Sequence, residues 1–283
     1  MPDTPLNLTS PSEVRALLAA WNFHPSRVLG QNFLIDRNIL DILVRTAELH
    51  PGETVVEAGP GLGVLTEALL AAGVRVLAVE KDPMLAAWLR SRHGANPAFV
   101  LREGDALDAP LADWFGAEGA TRLVSNLPYA IAARLLMAIA GLPCRPARMA
   151  VTVQKEVADR LAAVPGTPDY GILAIFLQRH YAVRTAKVVS PSCFWPAPEV
   201  TSAISAFVRR ETPLGGPADD ARLLALLHTA FSQRRKTMAR SLREAFPDVL
   251  AALAEADIAP TARPETVPVA AWAALARAAA QGA

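Results

Sequence analysis

Four consecutive residues, Asn126-Leu127-Pro128-Tyr129, bring together an amide, a backbone carbonyl held by the following proline, and an aromatic ring. The residue before a proline is pushed into an extended conformation, so the Leu127 carbonyl takes a fixed direction near the side-chain oxygen of Asn126. Two neighbouring acceptors suit a group with two N–H bonds, such as the exocyclic amine of adenine. That amine is a poor nucleophile because its lone pair is delocalised into the ring. Acceptors on both hydrogens pull the nitrogen toward tetrahedral geometry and localise the lone pair against a methyl electrophile. Tyr129 offers a face to the base, and such stacking contributes about 1–3 kcal/mol against the unstacking of a flipped nucleotide. Methyl transfer from a sulfonium needs no general base, since proton loss follows transfer, and positioning does most of the catalysis. The same tetrapeptide could also be a turn that ends a strand, because Asn and Pro favour turns.

A donor for that reaction needs a site of its own. The apolar run 54–58 leads into Gly59-Pro60-Gly61-Leu62-Gly63 and then a helix, where glycines let the backbone approach a nucleotide-like ligand. A dinucleotide fingerprint would place glycine at 64, where this chain has Val64, so the loop suits a cofactor without a pyrophosphate, or simply a tight turn. Glu80 ends the next strand, about 20 residues on, where an acid accepts from ribose hydroxyls. Asp105 ends the strand after that and could accept from the amine of a cofactor's adenine. Either acid alone could be a solvated strand end. Three successive strand ends presenting Gly, Glu and Asp point together to S-adenosylmethionine.

The elements that must position these residues follow from periodicity. Ser10-Pro11-Ser12-Glu13 is a capping box with proline at the first helical position, and Val14, Leu17, Leu18 and Trp21 recur at helical spacing. The segment 30–35 reads as a loop and 37–49 as a second helix. Strands at 54–58, 75–79, 98–101, 122–125 and 149–153 then alternate with helices at 62–72, 83–92, 130–140 and from 155. This rhythm predicts an α/β fold, a Rossmann-like sheet of about seven strands with helices on both faces. Two late strands, 181–189 and 202–209, have no long helix between them and predict a hairpin-like, antiparallel end to the sheet. The stretch 211–220, with Pro213, Gly215, Gly216 and Pro217, is the predicted boundary between a domain at 1–212 and a small all-helical domain at 218–283. Helices are expected there at 221–231, 234–246, 249–256 and 269–280.

Composition excludes several classes. With 283 residues and 52% hydrophobic content, disorder is not expected. Lys plus Arg (28) and Asp plus Glu (27) nearly cancel, so a grip on nucleic acid must come from charge placement. Cys144 and Cys193 lie in no metal-ligand spacing, no metal is expected, and neither a signal peptide nor a membrane span is predicted, which suits a soluble cytoplasmic protein.

With these residues in view, the chain resembles the bacterial small-subunit ribosomal RNA dimethyladenosine transferase family. The resemblance rests on Gly30-Gln31-Asn32-Phe33-Leu34, Glu57-Ala58-Gly59-Pro60-Gly61-Leu62-Gly63, Asn126-Leu127-Pro128-Tyr129, Gln154-Lys155-Glu156-Val157, Phe194-Trp195-Pro196-Ala197-Pro198-Glu199-Val200 and Phe231-Ser232-Gln233-Arg234-Arg235-Lys236-Thr237. Ala58, where a larger aliphatic is usual, and Trp195, where a smaller residue is usual, depart from it. The resemblance implies two methylations on each of two adjacent adenosines near the 3' end of small-subunit ribosomal RNA, in the assembling subunit. It implies that Asn32 and Leu34 join Gly59, Gly61, Glu80, Asp105 and Asn126 around the cofactor, and that Phe194 is a second aromatic wall for the target base. On the residues alone, Phe194 is a core side chain beside a proline turn. Arg234, Arg235, Lys236, Arg240 and Arg243 open the helical domain, with Lys236, Arg240 and Arg243 predicted on one helical face as a phosphate-binding ridge or a solvated face. A monomer is expected. Rival readings are a resistance-type large-subunit RNA methyltransferase, a DNA adenine methyltransferase, and a non-catalytic assembly factor on the same fold.

Overall fold

In the computed structural model, which describes residues 6–26, 30–233, 236–246 and 248–281, helix α1 (Pro11–Ala20) starts where Ser10 accepts the Glu13 N–H and Pro11 takes the first helical position. Strand β1 (Phe33–Leu34) follows, then α2 (Arg37–Ala47), whose first turn is capped by Asp36 accepting the Ile39 N–H at 2.9 Å. The alternating part then runs β2 (Thr54–Ala58), α3 (Val64–Ala71), β3 (Arg75–Glu80), α4 (Pro83–His93), β4 (Phe99–Glu103), α5 (Leu111–Phe115), β5 (Arg122–Asn126), α6 (Ala132–Ala140) and β6 (Arg148–Gln154). Next come α7 (Lys155–Ala162), α8 (Ile172–His180), β7 (Tyr181–Val189), β8 (Phe194–Trp195) and β9 (Ser202–Arg209). The chain ends in α9 (Asp220–Phe231), α10 (Met238–Leu242), α11 (Val249–Glu255) and α12 (Val269–Gln281).

Seven strands form one sheet, the number expected, in the order β4-β3-β2-β5-β6-β9-β7. The pairs β3–β4, β2–β3, β2–β5 and β5–β6 are parallel. The Arg210 N–H donates to the His180 carbonyl at 2.8 Å, which sets the end of β9 beside the start of β7, the arrangement of an antiparallel pair. In β2, β3, β5 and β6 successive residues are buried, as in Val55-Val56 and Leu123-Val124. Because successive side chains point to opposite faces, both faces of the sheet are covered. On one face Val55, Val76, Ala78, Val124 and Ala150 share a core with Leu40 and Leu43 of α2 and Leu65 and Leu69 of α3. Leu43 is fully buried there, so truncation to alanine costs about 2–5 kcal/mol.

The chain builds outward from β2 to β4, then returns to β5 on the other side of β2. That reversal is where a doubly wound sheet opens a crevice at the strand ends. Strands β2 and β5 pair at Val55↔Arg122 and Val56↔Leu123 but not beyond. At the far end the Ser125 hydroxyl donates to the Ala58 carbonyl at 2.5 Å across the gap.

Three expectations need correction. The predicted loop at 30–35 contains β1, which pairs antiparallel with β8 through Phe33↔Trp195 and Leu34↔Phe194, while the Ile35 N–H donates to the Cys193 carbonyl at 2.9 Å. Helix α8 was not expected, because Leu173 to Leu177 are all buried and leave no polar face to reveal a helical period. The helix expected at 234–246 is reduced, among its described residues, to α10. Thr237 is extended, and the Met238 and Ala239 N–H groups donate to the Ala262 and Pro260 carbonyls, so the helix cannot reach back to Lys236.

By contacts the chain forms two compact units, Met1–Ala158 with Thr185–Phe207, and Asp159–Arg184 with Val208–Ala283. The second unit therefore takes in α8 as well as the C-terminal helices, unlike the linear division at 211–220. Helix α8 packs against α9 and α12, and the Tyr170 hydroxyl donates to the Val267 carbonyl at 2.9 Å. Arg179, 2% exposed, bonds Asp220 and the Leu214 and Ala218 carbonyls, so the stretch expected to be a linker is stitched into this unit.

Candidate active site

The cleft lies in the first unit, at the carboxyl ends of β2, β3, β4 and β5. Asn32, Leu34, Gly59, Gly61, Glu80, Asp105, Asn126 and Pro128 all line it. The glycines are there for space and for backbone shape. Gly59 has φ +69° and a Cβ on it would sit 3.1 Å from Pro128 Cγ; Gly61 has φ +61° and its Cβ would sit 3.1 Å from the Phe33 ring. Both conditions exclude ordinary side chains.

The two acids are placed at neighbouring strand ends. Glu80, 6% exposed, accepts the Gly61 N–H and the Asp82 N–H, both at 2.9 Å. Burial pushes its carboxyl above the ordinary value, and those backbone donors pull it partly back. Asp105 accepts the Lys81 ammonium at 2.8 Å and the Leu107 N–H at 2.9 Å, and the lysine holds its carboxyl below the usual range. Each carboxylate oxygen keeps a further lone pair for a ligand donor.

Over these strand ends runs the segment from Gly30 to Ile35. Gln31 donates to Asp82 at 2.9 Å, and the Asn32 carbonyl accepts from Asn126 Nδ2 at 3.0 Å. The second bond decides how Asn126 points. A carbonyl only accepts, so the Asn126 amide nitrogen faces Asn32, and Oδ1 is left buried without a partner. The Leu127 N–H donates to the Thr152 carbonyl at 3.2 Å, while among the described residues its own carbonyl accepts nothing. A donor-bearing ligand would satisfy both oxygens, whereas leaving a buried acceptor unsatisfied costs about 1–3 kcal/mol.

Tyr129 is half-buried, with its hydroxyl 2.5 Å from Ser202 Oγ, and burial raises the phenol above its ordinary pKa. Phe194, 2% exposed, packs into the core with Leu34 and is not on the cleft lining; it meets the site through its register pairing with Leu34. Sequence reasoning missed Gln31 and Ser202 as site residues, because their roles rest on partners far along the chain. It also missed the state of Glu57. That side chain is 1% exposed, accepts the Thr66 hydroxyl at 2.7 Å, and burial pushes its carboxyl up to about 8.

Of the predicted basic ridge, Lys236, Arg240 and Arg243 are exposed, but Lys236 precedes α10 and Arg243 caps its end, so they are not one helical face. Arg234 and Arg235 lie outside the described residues. Among the described residues no group of His, Cys, Asp and Glu could hold a metal ion, and no helix is long and apolar enough to cross a membrane.

A glycine crevice, two strand-end acids and an amide with a waiting acceptor fit the residues to an adenosine-bearing methyl donor and an amine acceptor. Comparison with known proteins agrees. The family model described as ribosomal RNA adenine dimethylase matches residues 22–281. Proteins named ribosomal RNA small subunit methyltransferase A from Opitutus terrae and Geobacter metallireducens are 43% and 39% identical, over 94% and 89% of this chain and 97% and 94% of their own. A dimethyladenosine transferase from Plasmodium falciparum, 22% identical, has the same fold with a TM-score of 0.73, covering 85% of this chain and 94% of its own. The 23S rRNA methyltransferase ErmE, 28% identical, has a TM-score of 0.64 over 88% of this chain and 100% of its own. With the match running through the glycine crevice, the Asn126 motif and the C-terminal helices alike, this chain belongs to the ribosomal RNA adenine dimethylase family.

Proposed function

We propose that this chain is an S-adenosylmethionine-dependent enzyme that dimethylates the N6 amine of adenosines in small-subunit ribosomal RNA, acting on two adjacent adenosines near the 3' end of the RNA in the assembling subunit. The observation that carries this reading is the buried Asn126 Oδ1, without a partner among the described residues, on a side chain that lines the glycine cleft. The bound cofactor supplies an electrophilic methyl group that leaves behind a neutral thioether. Gly59 and Gly61 give it room, Glu80 takes its ribose hydroxyls, Asp105 takes its adenine amine, and Asn32 and Leu34 close over it. Asn126 and Leu127 accept the two N–H bonds of the target amine, Pro128 fixes the second acceptor, and Tyr129 carries the base. Phe194, held in the core against Leu34, backs the base pocket from behind in this reading.

The unit that carries the cleft is the catalytic part and the C-terminal helices within 218–283 are the RNA-binding part, with Arg234, Arg235, Lys236, Arg240 and Arg243 holding phosphates. The enzyme works as a monomer in the cytoplasm. A large-subunit activity is the second reading, because ErmE shares the fold at 28% identity, but the relatives named for the small subunit reach 39–43%. To test the proposal, purified protein and labelled methyl donor are incubated separately with immature small subunits, large subunits, naked RNA and DNA, and the nucleosides identified after digestion. Dimethyladenosine from small subunits is the expected result. Label in large subunits or DNA instead, or none anywhere, would overturn it.

A further inference from the structure

We propose that Ser202 is a positioning residue for the target base, holding the direction of the Tyr129 ring and biasing its plane through the hydroxyl pair that joins them. The inference rests on the reading of Tyr129 as the ring that carries the adenine. Tyr129 follows β5, while Ser202 opens β9, which lies beyond β6 in the sheet. The 2.5 Å contact between the two hydroxyls therefore reaches past β6 to the strand beyond it.

Each end of the bridge is firmly held. Ser202 is fully buried, and the Thr201 carbonyl next to it accepts the Lys155 N–H at 2.9 Å, pinning the start of β9 at the end of β6. On the Tyr129 side, the Ile131 N–H donates to the Pro128 carbonyl at 3.1 Å, and a Cβ on Gly30 would stand 3.3 Å from the Tyr129 nitrogen, so backbone packs closely over the ring's root. The hydroxyl lies on the ring's own rotation axis, so the bond fixes the first side-chain torsion, the direction in which the ring points; because hydrogen bonds at a phenol oxygen lie near the ring plane, it also biases the second. The stacking surface is then in place before the base arrives. The base meets it at the angle that brings its amine to Asn126 and Leu127, and orientation of this kind acts on the chemical step more than on binding. The serine has no place in the Asn-Leu-Pro-Tyr motif and touches neither cleft acid, so no local pattern marks it.

The test is a cycle of four proteins: wild type, Tyr129→Phe, Ser202→Ala and the double variant. Tyr129→Phe keeps the ring and removes the bridge from the other side. Single-turnover methylation of small subunits should fall about tenfold in each single variant and no further in the double, with cofactor affinity and subunit affinity within about twofold of wild type. Losses that multiply in the double variant, or a Ser202→Ala loss with none in Tyr129→Phe, would overturn the role of Ser202 and mark it as a packing residue. Tyr129→Ala separates the two readings: if it retains full activity, Tyr129 does not carry the base, and the assignment of the ring fails rather than that of the serine. Thermal unfolding of every variant guards against a folding defect, since a bridge that acts by position leaves the Ser202→Ala melting temperature within a few degrees of wild type.

Discussion

At the glycine end of the cleft the protein satisfies its own polar groups; at the Asn126 end it does not. Both oxygens of Glu80 and both of Asp105 already accept protein donors, and their strand ends are tied to the turns that follow. Elsewhere on the same cleft, one bond to Asn32 uses the donor half of Asn126 and strands its acceptor half in a buried position. The cofactor end is thus preassembled and tolerates small losses, because each ligand contact adds to a network that stands without it. The base end holds an unmet demand that a ligand with N–H groups satisfies. Binding and catalysis should therefore respond separately to substitutions at the two ends.

The largest effect should come from Asn126→Ala. Removing an acceptor that matters in the transition state is expected to cut single-turnover methylation by about 100-fold or more, while cofactor affinity falls only severalfold, as read by calorimetry. Equal losses in both would erase the distinction between the ends. Gly61→Ala should invert the pattern: a Cβ at 3.1 Å from the Phe33 ring, on a residue with φ +61°, is expected to weaken cofactor binding by about tenfold or more. With saturating cofactor its transfer rate should recover.

Neutralising Lys236, Arg240 and Arg243 to glutamine touches neither end. RNA affinity should fall about tenfold, and the dependence of log affinity on log salt should flatten by about 2, with cofactor affinity unchanged. An unchanged salt dependence would remove these residues from the RNA surface.

The smallest effect concerns stability. The Glu57 carboxyl stays protonated in the folded protein to about pH 8, whereas in the unfolded chain it ionises near 4.5. Between those values the folded state holds the extra proton, so stability falls as pH rises from 4.5 toward 8. Glu57→Gln keeps the shape without the charge. Its melting temperature should exceed that of wild type by about 3 °C or more at pH 8.5 and match it near pH 5. A constant difference at both pH values would show that Glu57 titrates normally.

What the sequence reveals divides along the same lines as the physics. The three strand ends and the Asn-Leu-Pro-Tyr motif could be read because their chemistry is local: a glycine loop, an acid ending the next strand, a proline fixing the carbonyl before it. The pairing of Phe33-Leu34 with Phe194-Trp195 could not, since two-residue strands carry no period and find each other only in the folded chain. Helix α8 hid for the opposite reason, its residues Leu173 to Leu177 being apolar without a break. The shortening of α10 depends on the Ala262 and Pro260 carbonyls, tertiary partners that helical periodicity does not register. Ser202 read only as the first residue of a strand. The orphaned acceptor of Asn126 likewise follows from a bond to Asn32 that no spacing announces.

The central claim is that Asn126 Oδ1 accepts a hydrogen from the target amine. The most direct measurement compares RNA fragments that carry either adenine or purine, which lacks the amine, at the methylated positions. Each is bound, with the demethylated cofactor present, to wild-type protein and to Asn126→Ala. Wild type should prefer adenine by about fivefold, the worth of one hydrogen bond, and the variant should bind both fragments alike. A preference that survives intact in the variant would contradict the claim.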